Sequence, residues 1–100
     1  MANIIPEDVV SYCRGQLNIP TDIHISVEYE DLSDDGVKGW AYDEAGDGEY
    51  DIEIEQTLSV SDTIRTVCHE MVHVKQMIDG RDLSEAEAYE QEEILARGYL

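Results

Sequence analysis

The sequence contains two histidines and a glutamate in the run His69-Glu70-Met71-Val72-His73. Residues four apart lie on one face of an α-helix, about 6 Å apart along its axis, so both imidazoles can reach one metal ion. Glu70 lies about 100° round the helix from His69, beside the ion, where its carboxylate can accept a proton from water. The spacing therefore predicts a metal site on His69 and His73, with Glu70 as the general base.

The alternative for these histidines is a solvated helix face. The predicted helix has a continuous apolar face, and His69 and His73 lie on the opposite face among polar side chains. If that face is only solvated, no other part of the chain is expected to supply a matching ligand. The predicted apolar face consists of Val60, Ile64, Val67, Met71, Val74 and Ile78.

A catalytic zinc-type site needs a third protein ligand and one open position. In the predicted last helix, Glu85 and Glu92 fall on the same stripe as the apolar side chains, which include Tyr89. A carboxylate in that direction is costly unless it meets a cation, so we expect Glu85 to be the third ligand. Glu87 has a different explanation, because Ser84 three residues before it predicts a capping box. For Glu85, the alternative is a favourable charge at the positive end of the helix dipole.

The elements that position these residues follow from the apolar patterns. Alternation of apolar and polar residues predicts strands, a period of 3.6 predicts helices, and short connections between strands favour an antiparallel meander. We therefore expect one α+β domain over residues 1–100, with a three-stranded antiparallel sheet. The predicted elements are a helix from Pro6 to Leu17, strands over 23–30, 37–43 and 49–55, and helices over about 59–80 and 84–98.

The patterns also predict two details of the sheet, the shared face of the first strand and the turn after the second. In the first strand, alternation with polar residues places Ile23, Ile25, Val27 and Tyr29 on one face, as in a half-buried strand. Residues 43–48 are rich in glycine and aspartate, which predicts a hairpin turn between the second and third strands.

Acidic residues outnumber basic ones by 24 to 6, which gives a formal charge of -18. A chain this acidic repels phosphate backbones and anionic lipids, so nucleic acid and membrane surfaces are not expected partners. The charge fits either a device for solubility or a cleft that attracts cationic peptides or metal ions. Composition alone does not choose between them.

The two cysteines, Cys13 and Cys68, are too few for a disulfide scaffold and fall on helix faces predicted to be buried. The N-terminal residues contain no basic segment followed by a long apolar run, and no stretch has the length of a membrane span. These features predict a cytoplasmic protein with reduced thiols.

Residues 68–76 and 85–92 resemble the active site of gluzincin metallopeptidases of the very small kind, the minigluzincin-like or SprT-like domains. The resemblance implies a zincin-like fold with zinc as the metal. Members of this group often have an aspartate where this chain has Tyr89, and that aspartate supports a zinc-binding histidine. The resemblance therefore leaves the supporting role to Tyr89 or Glu92. The zinc ligands that it implies are His69, His73 and Glu85.

The motif and the resemblance together predict a zinc-dependent metalloendopeptidase acting on a peptide or protein substrate. Glu70 would accept a proton from water activated by the metal and pass it to the leaving amine. The third strand, Glu49–Glu55, is expected to be an open edge that aligns an extended substrate, and its acids would favour basic peptides. Candidate donors to the transition state are Tyr89, His24 and Arg65.

Each candidate donor has a plainer alternative. Tyr89 can pack in the core, His24 can be solvated, and Arg65 can pair with Glu92 or Asp62. Two other function classes stay open: a catalytically silent zinc-binding module, and an acidic protein-interaction module with incidental histidines. A structural zinc site usually has four ligands rich in cysteine, which disfavours the silent module.

Overall fold

The structure is a computed structural model and describes residues 4–43, 46 and 48–100. Within these residues it contains three helices and a three-stranded sheet, which confirms the predicted α+β class. None of the helices in the described ranges is both long and apolar enough to cross a membrane. In chain order the elements are α1 (Pro6–Gln16), β1 (His24–Glu30), β2 (Gly39–Tyr42), β3 (Glu49–Glu55), α2 (Val60–Ile78) and α3 (Glu85–Tyr99).

The sheet is mixed, so the predicted antiparallel meander is wrong. β3 lies in the middle, and the strand order is β1-β3-β2. β1 pairs with β3 in parallel, with Val27 opposite Ile52, whereas β2 pairs with β3 antiparallel, with Trp40 opposite Glu53. Each connection between consecutive strands is short, which favoured a meander. The parallel pair of β1 and β3 is joined by all of residues 31–48, which are long enough for a crossover connection.

Burial explains why β3 takes the middle of the sheet. Its side chains Tyr50, Ile52 and Ile54 are buried. Of the strand residues that the structure describes, β1 buries Val27 alone and β2 buries none. The strand with most apolar surface is best covered between two neighbours. The hypothesis that Glu49–Glu55 forms an open edge is therefore wrong, and the edges of the described sheet are β1 and β2.

The two details of the sheet have different outcomes. Val27 is buried, whereas Tyr29, two residues further along the same face of β1, is exposed. It lies towards the end of an edge strand, where cover from the core is weakest. The antiparallel pairing of β2 with β3 agrees with a hairpin connection. Residues 44, 45 and 47 of the predicted turn lie outside the described residues.

α1 packs against α2 through a small apolar face. It begins at Pro6, whose missing N–H is not needed in the first turn of a helix. Val9, Val10 and Cys13 are buried. Cys13 Sγ lies 3.6 Å from Cys68 Sγ, and both cysteines are buried free thiols. Their hydrogen bond, and then burial, raise the pKa of the Cys13 thiol, so it stays protonated.

α2 contacts four of the five other elements, namely α1, α3, β2 and β3. It begins after Ser59, whose side chain accepts a hydrogen bond from Asp62 N. It ends before Gly80, whose φ of 68° a glycine adopts without strain. Val60, predicted to belong to the apolar face, is exposed. The buried members of that face are Ile64, Val67, Met71 and Val74.

α3 lies beside α2 and runs in the opposite direction. The direction is visible in the partners, since Arg65 meets Glu93 whereas His73 meets Glu85. Residues 79–84 therefore make the turn of the predicted helix hairpin. Ala88, Leu95 and Ala96 form the buried side of α3. This arrangement brings the beginning of α3 against the second half of α2.

Candidate metal centre

The three predicted ligands lie together. His69 Nε2 is 2.9 Å from Glu85 Oε1, and His73 Nε2 is 3.1 Å from the same oxygen. One ligand atom from each residue lies within 4.8 Å of the others, and this group could hold a metal ion. The solvated-face alternative is therefore wrong for these histidines, since a carboxylate from another helix meets both of them.

The other nitrogen of each imidazole has its own partner. His69 Nδ1 lies 2.7 Å from Glu92 Oε1, and His73 Nδ1 lies 2.8 Å from Gln76 Oε1. A carboxylate only accepts hydrogen bonds, so Glu92 favours a proton on His69 Nδ1 when Nε2 binds an ion. Partners of this kind leave Nε2 to bind an ion, and they fix the direction of the ring. Two imidazoles and one carboxylate form a donor set that suits a divalent metal.

Glu85 reaches the histidines from a position different from the expected one. The sequence placed it on the buried stripe of α3, but 69% of its side-chain surface is exposed. It stands in the first turn of α3 and leans over His69 and His73 from the solvent side. Partial desolvation raises the pKa of Glu85, but hydrogen bonds to His73 and His69 outweigh it, so its pKa is lowered. The carboxylate is therefore available as a charged ligand.

Glu70 lies beside this group and is buried. Burial is the main cause that raises its pKa, and the positive potential of His69 and His73 acts in the opposite direction. A carboxylate whose pKa is raised is a stronger proton acceptor. Glu70 also lines the same cleft as the histidines. Its role as a general base stays a prediction.

Both predicted supporting residues lie next to His69. Glu92 accepts its Nδ1 proton, as described above, and the Tyr89 ring lies edge-on with its centroid 4.7 Å from that of His69. Tyr89 is 64% exposed, so its predicted alternative as a core residue is wrong. It forms part of the wall of the metal group.

The other candidate donors have different surroundings. Arg65 pairs with Glu93, not with Glu92 or Asp62 as the sequence suggested, because Glu93 lies directly across from it on α3. Arg65 nevertheless lines the cleft. His24 is exposed at the beginning of β1 and is not among the described residues that line the cleft, so its alternative as a solvated residue agrees with the structure.

The predicted capping box is half correct. Ser84 Oγ accepts a hydrogen bond from Glu87 N at 3.2 Å, as expected. The Glu87 carboxylate does not return to Ser84 N; it accepts hydrogen bonds from Gln76 Nε2 and Arg81. Ser84 N instead donates to Gln76 Oε1. Gln76 was not predicted as a site residue, and its only signal in the sequence is its place on the same helix face as His73.

A cleft of about 600 Å³ opens over the metal group. One wall is β2, which approaches α2 closely because Gly39 has no side chain. A Cβ at Gly39 would lie 2.8 Å from both Glu53 O and Thr66 Cγ2. Large apolar side chains stand at the mouth, including Trp40 and Leu83. The cleft therefore places an edge strand beside the candidate ligands.

Comparisons of this chain with protein-family models, with curated proteins and with solved structures give no match.

Proposed function

We propose that this protein is a zinc-dependent metallopeptidase with a zincin-like active site of the gluzincin type. The observation that carries the proposal is the approach of His69 Nε2 and His73 Nε2 to one oxygen of Glu85, with the buried carboxylate of Glu70 beside them. Two imidazoles, one carboxylate and a side open to solvent match the ligand set of catalytic zinc, which keeps one position for water or substrate.

Glu70 supplies the proton transfers. Zinc at this site would polarise a peptide carbonyl and make water more acidic. Glu70 accepts the proton of the attacking water, and its raised pKa favours that acceptance. The same carboxyl group then gives the proton to the amine that leaves. A buried base held near two histidines serves both steps without moving far.

The open edge of β2 orients the substrate. Lys38 O accepts a hydrogen bond from Glu55 N at 2.8 Å, so residues 38, 40 and 42 face β3 with their backbone polar groups. The N–H and C=O groups of Gly39 and Ala41 then face the other way, towards the cleft that these residues line. An extended peptide can add to this edge as a further strand.

This edge changes the expected substrate preference. The preference for basic peptides was inferred from the acids of Glu49–Glu55 at an open edge, and β3 is not an edge. The cleft contains both Lys38 and Arg65 besides its acids, so its charge is more balanced than that of the whole chain. We therefore propose extended peptides as substrates without a requirement for basic residues.

Tyr89 is the best placed side chain for a hydrogen bond to the transition state. It lines the cleft, touches His69 and carries a hydroxyl group that can donate. Arg65 also lines the cleft, but its guanidinium is engaged with Glu93. Removal of one such donor commonly costs about 10²–10³ in kcat.

The test combines metal content with peptide cleavage. The purified full chain, loaded with zinc, is incubated with a mixed peptide library, and products are identified by mass spectrometry with and without a chelator. We expect cleavage that the chelator abolishes. Glu70→Gln should bind zinc stoichiometrically and lose cleavage by at least about 10²-fold, because it removes the base and spares the ligands.

The matched control is Glu90→Gln, an exposed glutamate on α3 that does not line the cleft. It should cleave like the original protein. Full cleavage by Glu70→Gln, or no cleavage by zinc-loaded protein, would reject the peptidase proposal. Failure to bind zinc would reject the metal site as well.

A further inference from the structure

The Gln76 side chain uses every hydrogen-bonding position that an amide has. It is fully buried, with 0% of its surface exposed. Its Oε1 accepts from His73 Nδ1 at 2.8 Å and from Ser84 N at 3.2 Å. Its Nε2 donates to Ser84 O at 3.2 Å and to Glu87 Oε1 at 2.6 Å. Two acceptor and two donor positions are the full capacity of a glutamine amide.

The backbone of Ser84 decides which way this amide points. Ser84 is extended, with φ −120° and ψ 112°, and its N–H and C=O both bond to Gln76. A backbone N–H only donates and a backbone C=O only accepts, so the amide oxygen must face the former and the NH₂ group the latter. Rotating the amide by 180° would place donor against donor and acceptor against acceptor.

The fixed amide in turn decides the tautomer of His73. Because Oε1 is the atom that faces His73, the proton of the neutral imidazole belongs on Nδ1. Nε2 is then the nitrogen left to bind an ion, and it lies 3.1 Å from Glu85 Oε1, the other candidate ligand atom. The backbone of Ser84, at the start of α3, thus determines which nitrogen of His73 on α2 is free to bind an ion.

The same amide also holds the ligand from α3. Ser84 is the residue before Glu85, and it is the N-cap of α3. Gln76 bonds to Ser84 on both backbone groups and to Glu87 beyond it, so the first turn that carries Glu85 is attached to α2 through this side chain. Because the Glu85 side chain is largely exposed, packing around it contributes little to holding it over the histidines.

We propose that Gln76 is a positioning residue that couples the two halves of the metal site, fixing the His73 tautomer and holding the first turn of α3 so that Glu85 meets the histidines. This inference rests on the metal site of the proposed function and not on peptide hydrolysis. Its test therefore uses metal binding and the metal-free protein, and a protein that binds zinc without cleaving peptides leaves it standing.

The first variant, Gln76→Leu, removes all four hydrogen bonds at similar size. In the metal-free protein near pH 8, imidazole ¹⁵N shifts should report Nδ1–H for His73 in the original chain and loss of that single tautomer in the variant. Zinc affinity, measured by competition with a chromophoric chelator, should fall about 10–100-fold. Amide exchange at Ser84, whose N–H loses its acceptor, and at Glu87 should become faster.

The second variant, Gln76→Glu, separates the two parts of the proposal. A carboxylate still accepts from His73 and Ser84 N, so the Nδ1–H tautomer should persist. It cannot donate to Ser84 O and it repels Glu87, so amide exchange in the first turn of α3 should rise and zinc affinity should fall. Adding Glu87→Gln restores a donor opposite the new carboxylate and should recover part of the affinity.

The control is Gln91→Leu, a half-buried glutamine on α3 outside the cleft, which should keep the original affinity, tautomer and exchange rates. An unchanged His73 tautomer and zinc affinity in Gln76→Leu would overturn the proposal. If Gln76→Leu does not fold, Gln76→Glu decides: original zinc affinity together with original exchange rates in the first turn of α3 would overturn it.

Discussion

The two sides of α2 are both buried, but they are held in different ways. The apolar side, with Val67, Met71 and Val74, packs against α1 and the sheet through contacts that have no direction. The polar side contains His73 and Gln76, which are buried as well, and each of their polar atoms meets a particular partner. One helix thus carries a core on one side and a bonded network on the other.

Substitutions on the two sides are expected to change different properties, the free energy of unfolding on the apolar side and metal affinity on the polar side. On the apolar side a lost methyl group removes contacts and leaves a cavity, and the cost appears in the free energy of unfolding. On the polar side a lost hydrogen bond frees a ring or a helix turn, and the cost appears at the ion. The comparison therefore separates stability from metal affinity, and four predictions test that separation.

The largest effect on stability should come from Met71→Ala. Met71 is fully buried on the apolar side, and such a truncation commonly costs about 2–5 kcal/mol of the unfolding free energy. Urea denaturation of the metal-free protein measures it, and zinc affinity of the folded fraction should be unchanged. Met77→Ala, at a half-buried position, is the control with a smaller loss. Altered zinc affinity in the folded Met71→Ala protein would contradict the separation of stability from metal affinity.

Glu92→Ala, on the polar side, should lower zinc affinity, which Met71→Ala should leave unchanged. It removes the acceptor of the His69 Nδ1 proton, so zinc affinity should fall about 10–100-fold, which corresponds to about 1.4–2.8 kcal/mol. Chelator competition measures the affinity. Glu90→Ala, an exposed glutamate on the same helix, should leave it unchanged. If Glu92→Ala and Glu90→Ala bound zinc equally well, the hydrogen bond between His69 and Glu92 would not contribute to zinc affinity.

The two serine caps provide a matched pair with a smaller effect. Ser59 accepts from Asp62 N at the start of α2, and Ser84 accepts from Glu87 N at the start of α3. Replacing either with alanine should cost about 1 kcal/mol of the unfolding free energy. Only Ser84→Ala should also weaken zinc binding, because Glu85 follows Ser84. Thermal unfolding with and without zinc separates the two effects, and an equal response to zinc would contradict the prediction.

The smallest effect is expected at Glu55, a buried carboxylate outside α2. Hydrogen bonds from the Thr57 hydroxyl and the Leu32 N–H lower its pKa. The folded state therefore gains stability from this group above its unfolded pKa of about 4.3 and loses that gain as the pH falls through the folded pKa.

Glu55→Gln should accordingly be less stable than the original chain near neutral pH, and the difference should shrink in acid. Urea denaturation at a series of pH values measures it. Zinc affinity at neutral pH should not change, because Glu55 is not among the described residues that line the metal cleft. A stability difference that grows in acid would show that the sign is wrong.

The apolar side of α2 and its histidines were predictable from the sequence, because helical periodicity and the His69–His73 spacing act within one element. Glu85 was predicted as well, but from an inward direction that the structure does not give it. Its closeness to the histidines depends on the turn before α3 and on the cap at Ser84. The grouping of Glu85 with the histidines thus followed from its chemistry and its place in the chain more than from its burial.

The strand order was not predictable from alternation, because alternation identifies a strand and not its neighbours. Tyr50, Ile52 and Ile54 are the most heavily buried strand residues of the described sheet, but in the sequence the first predicted strand has just as regular an alternation of apolar residues. Gln76 was missed for a related reason. A glutamine on a polar helix face looks solvated until the chain after Gly80 folds back over it.

The central place of β3 also bears on how the chain assembles during synthesis. β1 is made first, yet its partner in the sheet is β3, which follows only after residues 31–48. The β2–β3 hairpin can form locally, whereas the parallel pair requires a long loop to close first. β1 therefore leaves the ribosome first, and its backbone N–H and C=O groups cannot pair with β3 until that strand has emerged.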